Sequence, residues 1–324
     1  MTAANSSRTD SAKRVLQIRA ALLSIVGLAL LIGLIWFVNP TRILHVLHDA
    51  ESGWIVFAAA VILISTLLGA ANSYLMTAPG PALRFKRFLC AYWVAWAFGQ
   101  VLPGQVGDLV GMSLFLRKRG LALPTAVGRL GADKLISLFC TFLLAAGLLQ
   151  VSMAPIVQLA GLLSAGAAAS LLIAYIASRR WKKESNAGDG WRAHFVNSML
   201  EAHRVMATRP GAVALNALLT LVKLFAIGVC YWAVFHALHA EPGTLFDVTV
   251  MANSAGLIAY VPISANGVGT VEAGGLYLFG LHGVAAAVVV ATYLVLRSAN
   301  LVLAWLGAAL VLLAGAWHRK RDSK

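Results

Sequence analysis

Acidic side chains are scarce in this sequence. Twelve Asp and Glu stand against 26 Lys and Arg in 324 residues, and charged residues make up only 12% of the chain. An average soluble domain carries about 25%, so this composition cannot build a water-facing surface of ordinary polarity. Cysteine is nearly missing as well. Cys90, Cys140 and Cys230 are isolated in apolar segments without CxxC spacing, which gives no disulfide framework and reads as three small buried hydrophobes. No GxxxxGK(S/T) loop is present to cradle a nucleotide, and no HExxH motif to bind zinc. His45 and His48, like His236 and His239, stand three apart, a spacing at which two ligands can share a helix face. With His282 they fall at the predicted outer ends of spans, and no Ser/His/Asp order accompanies them. They read as interfacial histidines, and the rival reading of an intramembrane enzyme requires them to converge with a carboxylate.

Apolar sequence is what the chain has in excess: hydrophobic residues make up 60% of it. A helix crosses a bilayer with about 20 apolar residues, and six runs qualify: Ala20–Val38, Gly53–Thr77, Leu121–Gln150, Ala154–Ala177, Gly211–Leu238 and Val284–Trp317. The first follows basic residues, as a secretory signal does. Its apolar core is long, however, and no small-residue cleavage site precedes Asn39 and Pro40, so it reads as an uncleaved anchor.

The net charge of +14 raises nucleic acid as a partner, but the basic residues are placed for a membrane. They cluster at Arg8, Lys13, Arg14 and Arg19, at Arg84, Lys86 and Arg87, through Ser178–Pro210, and at Arg319, Lys320, Arg321 and Lys324. The alternate loops are nearly free of them. This is the positive-inside pattern, and it puts both termini in the cytoplasm. Anionic lipid surface is the partner such clusters attract, and no aromatic-basic motif points to nucleic acid.

Two further apolar stretches do not fit a single crossing. Phe88–Leu116 has basic clusters on both sides and is cut by Leu102-Pro103-Gly104 into arms of about 15 and 12 residues, each too short to span. Asp247–Leu281 must begin and end outside and is broken at Val261-Pro262-Ile263-Ser264-Ala265-Asn266-Gly267-Val268-Gly269. Both read as re-entrant helical hairpins, a geometry tolerated only where the broken backbone is buried in protein or lines a wet cavity. The loop residues are Pro103, Gly104 and Gly107 in the first, and Pro262, Asn266, Gly267 and Gly269 in the second. Asp108 and Asp133 stand 25 residues apart, as do Glu272 and Arg297. With the hairpins opening from opposite sides, this is the pattern of an inverted repeat.

Seven charges are left at membrane depth: Asp108, Arg129, Asp133, Lys134, Lys223, Glu272 and Arg297. Each costs about 2.5–3.5 kcal/mol at a helix centre on insertion scales, so they must meet one another, a ligand or water. Arg129 and Asp133, four apart on one face, can pair with each other. Four bases against three acids leave a positive charge over, which suits an anionic headgroup. The alternative is a purely structural ion-pair network. Helix N-termini exposed at the breaks would offer N–H groups to a phosphate. Asn72, Gln100, Gln105, Asn253, Asn266 and Asn300 read as interhelical hydrogen-bond partners.

Leu102-Pro103-Gly104-Gln105-Val106-Gly107-Asp108, Gly128-Arg129-Leu130-Gly131-Ala132-Asp133-Lys134-Leu135 and Pro262-Ile263-Ser264-Ala265-Asn266-Gly267-Val268-Gly269-Thr270-Val271-Glu272 together resemble the transmembrane domain of lysylphosphatidylglycerol synthase and its stand-alone, flippase-like relatives. The resemblance runs from about Gly53 to Trp317. It implies a polytopic domain that moves or handles a lipid with a charged headgroup: a phospholipid, a polyprenyl-phosphate-linked lipid or one of a hopanoid pathway. Gly111 stands where a basic residue is expected, and Asn266 replaces a glycine. The aminoacyl-transferase domain of full-length synthases is not expected, since the chain ends at Lys324.

The sequence thus predicts an all-α polytopic integral membrane protein with six spanning helices and two re-entrant hairpins. Residues 1–19 form a basic cytoplasmic N-terminus, 20–317 one transmembrane domain, and 318–324 a basic tail. Within the domain, repeat 1 covers about 53–150, a basic cytoplasmic loop 178–210, and repeat 2 about 211–317. The expected location is the cytoplasmic (inner) membrane. The expected function is translocation of a lipid with an anionic headgroup, through substrate-binding residues Asp108, Arg129, Asp133, Lys134, Glu272 and Arg297. A non-transporting accessory of a glycosyltransferase or lipid-modifying enzyme is the alternative. No enzymatic activity and no cofactor or metal is expected.

Overall fold

The computed structural model describes residues 3–77, 83–100, 107–178, 191–261 and 263–322. Of the motif residues, Leu102, Pro103, Gly104, Gln105, Val106 and Pro262 lie outside these, as do the basic residues Arg179, Arg180, Lys182, Lys183 and Lys324. Among the described residues every regular element is a helix. Six stretches are long and apolar enough to cross a bilayer: Ala21–Val38, Ser52–Thr77, Leu123–Val151, Pro155–Ile173, Pro210–Ala237 and Ala286–Ala314. They are the six runs that hydropathy singled out. Large apolar side chains such as Ile25, Leu163, Leu218 and Leu313 stand exposed along them. That surface is costly in water and fitting in lipid.

Local chemistry sets the boundaries. Helix α1 (Ala3–Val38) stops at Asn39, whose φ of 80° leaves the helical region, and Asn39 Oδ1 accepts Thr41 N at 3.0 Å to start α2 (Pro40–His48) with proline in its first turn. Helix α3 (Ser52–Thr77) follows. Then come two short helices, α4 (Phe85–Gly99) and α5 (Gly107–Arg117), and the long α6 (Leu123–Ala145), which Gly147 turns into a single helical turn, α7 (Leu148–Val151). After α8 (Pro155–Ser178) the stretch expected as a basic loop contains an 18-residue helix, α9 (Trp191–Thr208). Helix α10 (Pro210–Ala237) leads to a second short pair, α11 (Leu245–Leu257) and α12 (Thr270–Leu281), and then to α13 (Ala286–Asp322). A capping box begins α11: Thr244 Oγ1 accepts Asp247 N at 3.2 Å and Asp247 Oδ2 accepts Thr244 N at 2.9 Å. The expected boundaries at 19/20 and 317/318 fall inside α1 and α13, which run through them without a break.

The four short helices have 15, 11, 13 and 12 residues. At about 1.5 Å per residue none reaches the roughly 30 Å of a hydrocarbon core. Their packing is reciprocal. Helix α4 lies on α5 and along α13, while α11 lies on α12 and along α6. Between the two sets, α3 and α10 form the most extensive helix pair among the described residues. Small residues let their backbones approach, with Ala58 and Ala233 buried at the interface. Side-chain amides tie the same region: Asn72 donates to Thr220 Oγ1 at 3.0 Å, and Asn216 to the Asn72 carbonyl at 3.2 Å.

Candidate functional site

A cavity of about 360 Å³ opens where the two short-helix pairs meet, with walls from α3, α4, α5, α6, α10, α11, α12 and α13. That volume lies at the lower end of ligand pockets. Of the charged residues expected from sequence, Asp108, Lys134 and Arg297 line it, together with Asn266 and Gln100.

Each half of the molecule brings one ion pair to this space. Lys134 Nζ lies 2.5 Å from Asp108 Oδ2, joining α6 to α5. Arg297 donates through Nε at 2.7 Å and Nη2 at 2.6 Å to Glu272 Oε1, joining α13 to α12. Both acids sit in the first turn of the second short helix of their pair, where the helix dipole favours a negative charge. Asp108 Oδ1 also accepts Leu109 N at 2.8 Å. The helix N-termini that the sequence offered to a phosphate thus carry resident carboxylates. Glu272 is buried behind Arg297, its side chain 1% exposed, and its Oε2 has no hydrogen-bond partner among the described residues.

The second break is built from left-handed residues. Asn266 has φ 47° and ψ 32°, Gly267 φ 69° and Gly269 φ 79°. Glycine enters this region at no steric cost, and Asn is the side chain that most readily follows it, which accounts for Asn266 standing in place of a glycine. Asn266 Nδ2 reaches the Gln100 carbonyl at 3.5 Å, so the second break touches the end of α4 at the edge of the first. Helix α1 covers the turn from outside, its Gly27 and Leu30 against Gly269.

Arg129 and Asp133 lie apart from the cavity lining. Arg129 Nε donates to Glu201 Oε1 at 2.9 Å and Nη1 to the Thr77 carbonyl at 2.7 Å, clasping α9 and the end of α3. Asp133, 5% exposed, accepts Ser73 Oγ at 2.8 Å and Asn216 Nδ2 at 2.9 Å. The i,i+4 pairing expected of them is replaced by partners from other helices, because Glu201, read as part of a cytoplasmic loop, returns on α9 to face α6. Lys223 of α10 lines the cavity instead. Sequence marked it as a charge at depth but did not place it among the binding residues. Asn72 and Asn253 bond between helices as expected, whereas Asn300 donates to Leu296 of its own helix.

The histidines gather elsewhere. His45 Nδ1 lies 3.3 Å and His48 Nδ1 3.2 Å from the Asp49 carboxylate, and His239 Nδ1 3.5 Å from Glu51. These side chains do meet carboxylates, but all are more than half exposed, so they form a solvent-facing cluster and not a cleft. His282 is elsewhere, on the Val151 carbonyl. Among the described residues no group of His, Cys, Asp and Glu is arranged to hold a metal ion.

The family model described as lysylphosphatidylglycerol synthase TM region matches residues 24–317. No curated protein matches the chain. The match covers all six apolar helices and both short-helix pairs around the cavity, so the chain belongs to the family of the lysylphosphatidylglycerol synthase TM region and is a multi-pass membrane protein of lipid-related function.

Proposed function

We propose that the protein is a translocase that carries a lipid with an anionic headgroup across the cytoplasmic membrane, with both termini in the cytoplasm. The observation that carries this reading is the cavity at the junction of the two short-helix pairs, where an acid of each pair, Asp108 or Glu272, is bound to a cavity-lining base of the long helix that follows, Lys134 or Arg297. Short helices that cannot span, broken where they meet, are how secondary transporters expose polar backbone and side chains at the membrane midplane. The reciprocal packing of α4 on α13 and α11 on α6 supports an inverted repeat with two re-entrant hairpins. Alternating access would then tilt one pair against the other while the headgroup stays between them and the acyl chains stay in lipid. Arg129 and Asp133 brace α6 in this mechanism and do not touch the headgroup. No P-loop is present in the sequence, so the driving force is a gradient or the consumption of the lipid on the far side.

The test is translocation of headgroup-labelled lipids in proteoliposomes, comparing the unmodified protein with two double variants, Asp108→Asn with Lys134→Gln and Glu272→Gln with Arg297→Gln. Each removes both charges of a pair and leaves no lone ion behind. Movement of an anionic lipid that falls at least about tenfold in both folded variants, a loss of about 1.4 kcal/mol of transition-state stabilisation, supports the translocase. No movement of any lipid by the unmodified protein overturns it and favours a non-transporting accessory role.

A further inference from the structure

Among the described residues three cations line the cavity, Lys134, Lys223 and Arg297, but they are not equivalent. Lys134 and Arg297 are each neutralised by an acid of their own half. Lys223 has no carboxylate within ion-pair distance among the described residues, and no described residue hydrogen-bonds its ammonium. It lies on α10, half-buried, at the cavity wall, within electrostatic range of Lys134 and, more weakly, of Asp133 and Asp108. The tyrosine hydroxyl of Tyr92 on α4 also lines the cavity and takes no partner among the described residues. These two groups converge on one place. A Cβ added to Gly69 of α3 would come within 2.7 Å of Tyr92 Oη and 3.5 Å of Lys223 Nζ. Glycine at position 69 thus leaves room for the Tyr92 hydroxyl, which a side chain would displace, and keeps hydroxyl and ammonium close enough for one oxygen anion in the cavity to accept from both.

On the translocase reading given above, we propose that Lys223 and Tyr92, the latter seated against Gly69, form the anion-binding subsite of the cavity. A phosphate oxygen of the ligand sits there, between the hydroxyl of α4 and the ammonium of α10. The subsite recognises a phosphate whose charge is not balanced by a cation of its own headgroup, as in phosphatidylglycerol and unlike phosphatidylcholine. The Asp108–Lys134 and Glu272–Arg297 pairs flank it as neutral walls. Since α4 belongs to the first half of the chain and α10 to the second, the phosphate bridges the halves.

The experiment is equilibrium binding of fluorescent phosphatidylglycerol and phosphatidylcholine to the purified full chain in neutral detergent, for the unmodified protein, Lys223→Gln, Lys223→Arg and Gly69→Ala. Inorganic phosphate is the competitor. The expected result is that Lys223→Gln weakens phosphatidylglycerol binding about tenfold and erases the preference over phosphatidylcholine, while Lys223→Arg keeps that preference. Gly69→Ala alters no charge and also loses the preference, because the added methyl displaces the Tyr92 hydroxyl. A lysine with only a structural role would lower binding of both lipids together. Displacement of the lipid by inorganic phosphate, abolished in Lys223→Gln, assigns the subsite to phosphate itself. Lack of displacement with the preference intact assigns it to lipid-borne phosphate.

Phosphatidylglycerol binding of unmodified strength and preference in Lys223→Gln overturns the subsite, and if that variant does not fold, the same result in Gly69→Ala overturns it. Transport then separates the two ideas. Anionic lipid that still moves in proteoliposomes with Lys223→Gln unimpaired sinks the subsite and leaves the translocase. If nothing moves with the unmodified protein, the translocase falls and the binding data alone decide the subsite.

Discussion

Lys134 Nζ lies 2.5 Å from Asp108 Oδ2, a residue 26 positions earlier, whereas Arg297 meets Glu272 from 25 positions away. The two acid–base pairs correspond across the halves of the chain, but with an offset of one residue. The matched spacing of 25 had pointed to Asp133. Successive helical residues point about 100° apart, so Lys134 turns toward α5 and the cavity while Asp133 turns toward α3 and α10.

Removing Arg297 alone leaves Glu272 as a buried charge without its partner. Arg297→Met should lower stability by about 3–5 kcal/mol, the usual cost of breaking a buried pair. The double variant Glu272→Gln with Arg297→Met should recover most of it. Thermal unfolding in detergent measures both, and losses that simply add would show that the pair is not coupled.

Asp133 holds three helices together through Ser73 and Asn216. Asp133→Leu removes the acceptor of both donors, at about 1–3 kcal/mol for each polar group left buried without a partner. Ser73→Ala, which removes only one hydroxyl, should cost about 1 kcal/mol. Equal melting temperatures for Asp133→Leu and the unmodified protein would refute this account.

Position 266 requires a left-handed backbone. Asn266→Gly should therefore fold with nearly unchanged melting temperature, losing only the contact to the Gln100 carbonyl, while Asn266→Val should lose about 1–2 kcal/mol from the strain of a β-branched residue at positive φ. Comparable melting of the two variants would mean that the turn can relax.

Asp49, beyond the end of α2, is held below its ordinary value of 3.8 by the hydrogen bond from His48 and by the nearby charges of His45, His48 and His239. A carboxyl with a lowered folded pKa stabilises the fold above its ordinary value and loses that contribution as pH falls through the lowered one. His48→Ala should move the Asp49 titration, followed by its carboxyl carbon resonance, upward toward 3.8. An unmoved midpoint would assign the shift to other groups.

Much of the fold was legible because hydropathy and helix breakers act locally. Six apolar runs are long enough to span, and the short arms between breaks are not, whatever surrounds them. Helices α2 and α9 escaped notice because their stretches are charged and short of apolar runs, the features by which loops were recognised. The insertion cost of a charge marked the right residues at depth, Lys223 included, but it carries no information on partners.

By itself the sequence determined that this chain lives in a membrane, which segments cross it, and which charges must be satisfied within it, since transfer free energy is a property of each segment. Tertiary structure alone decided that Arg129 goes to Glu201, Asp133 to Ser73 and Asn216, and Lys134 and Arg297 to the acids beside the cavity. Such partnerships join residues from about 25 to more than 80 positions apart. They are set by the rotation of each helix and by which helix packs against it, so a charge becomes a brace or a binding group only once its neighbours are in place.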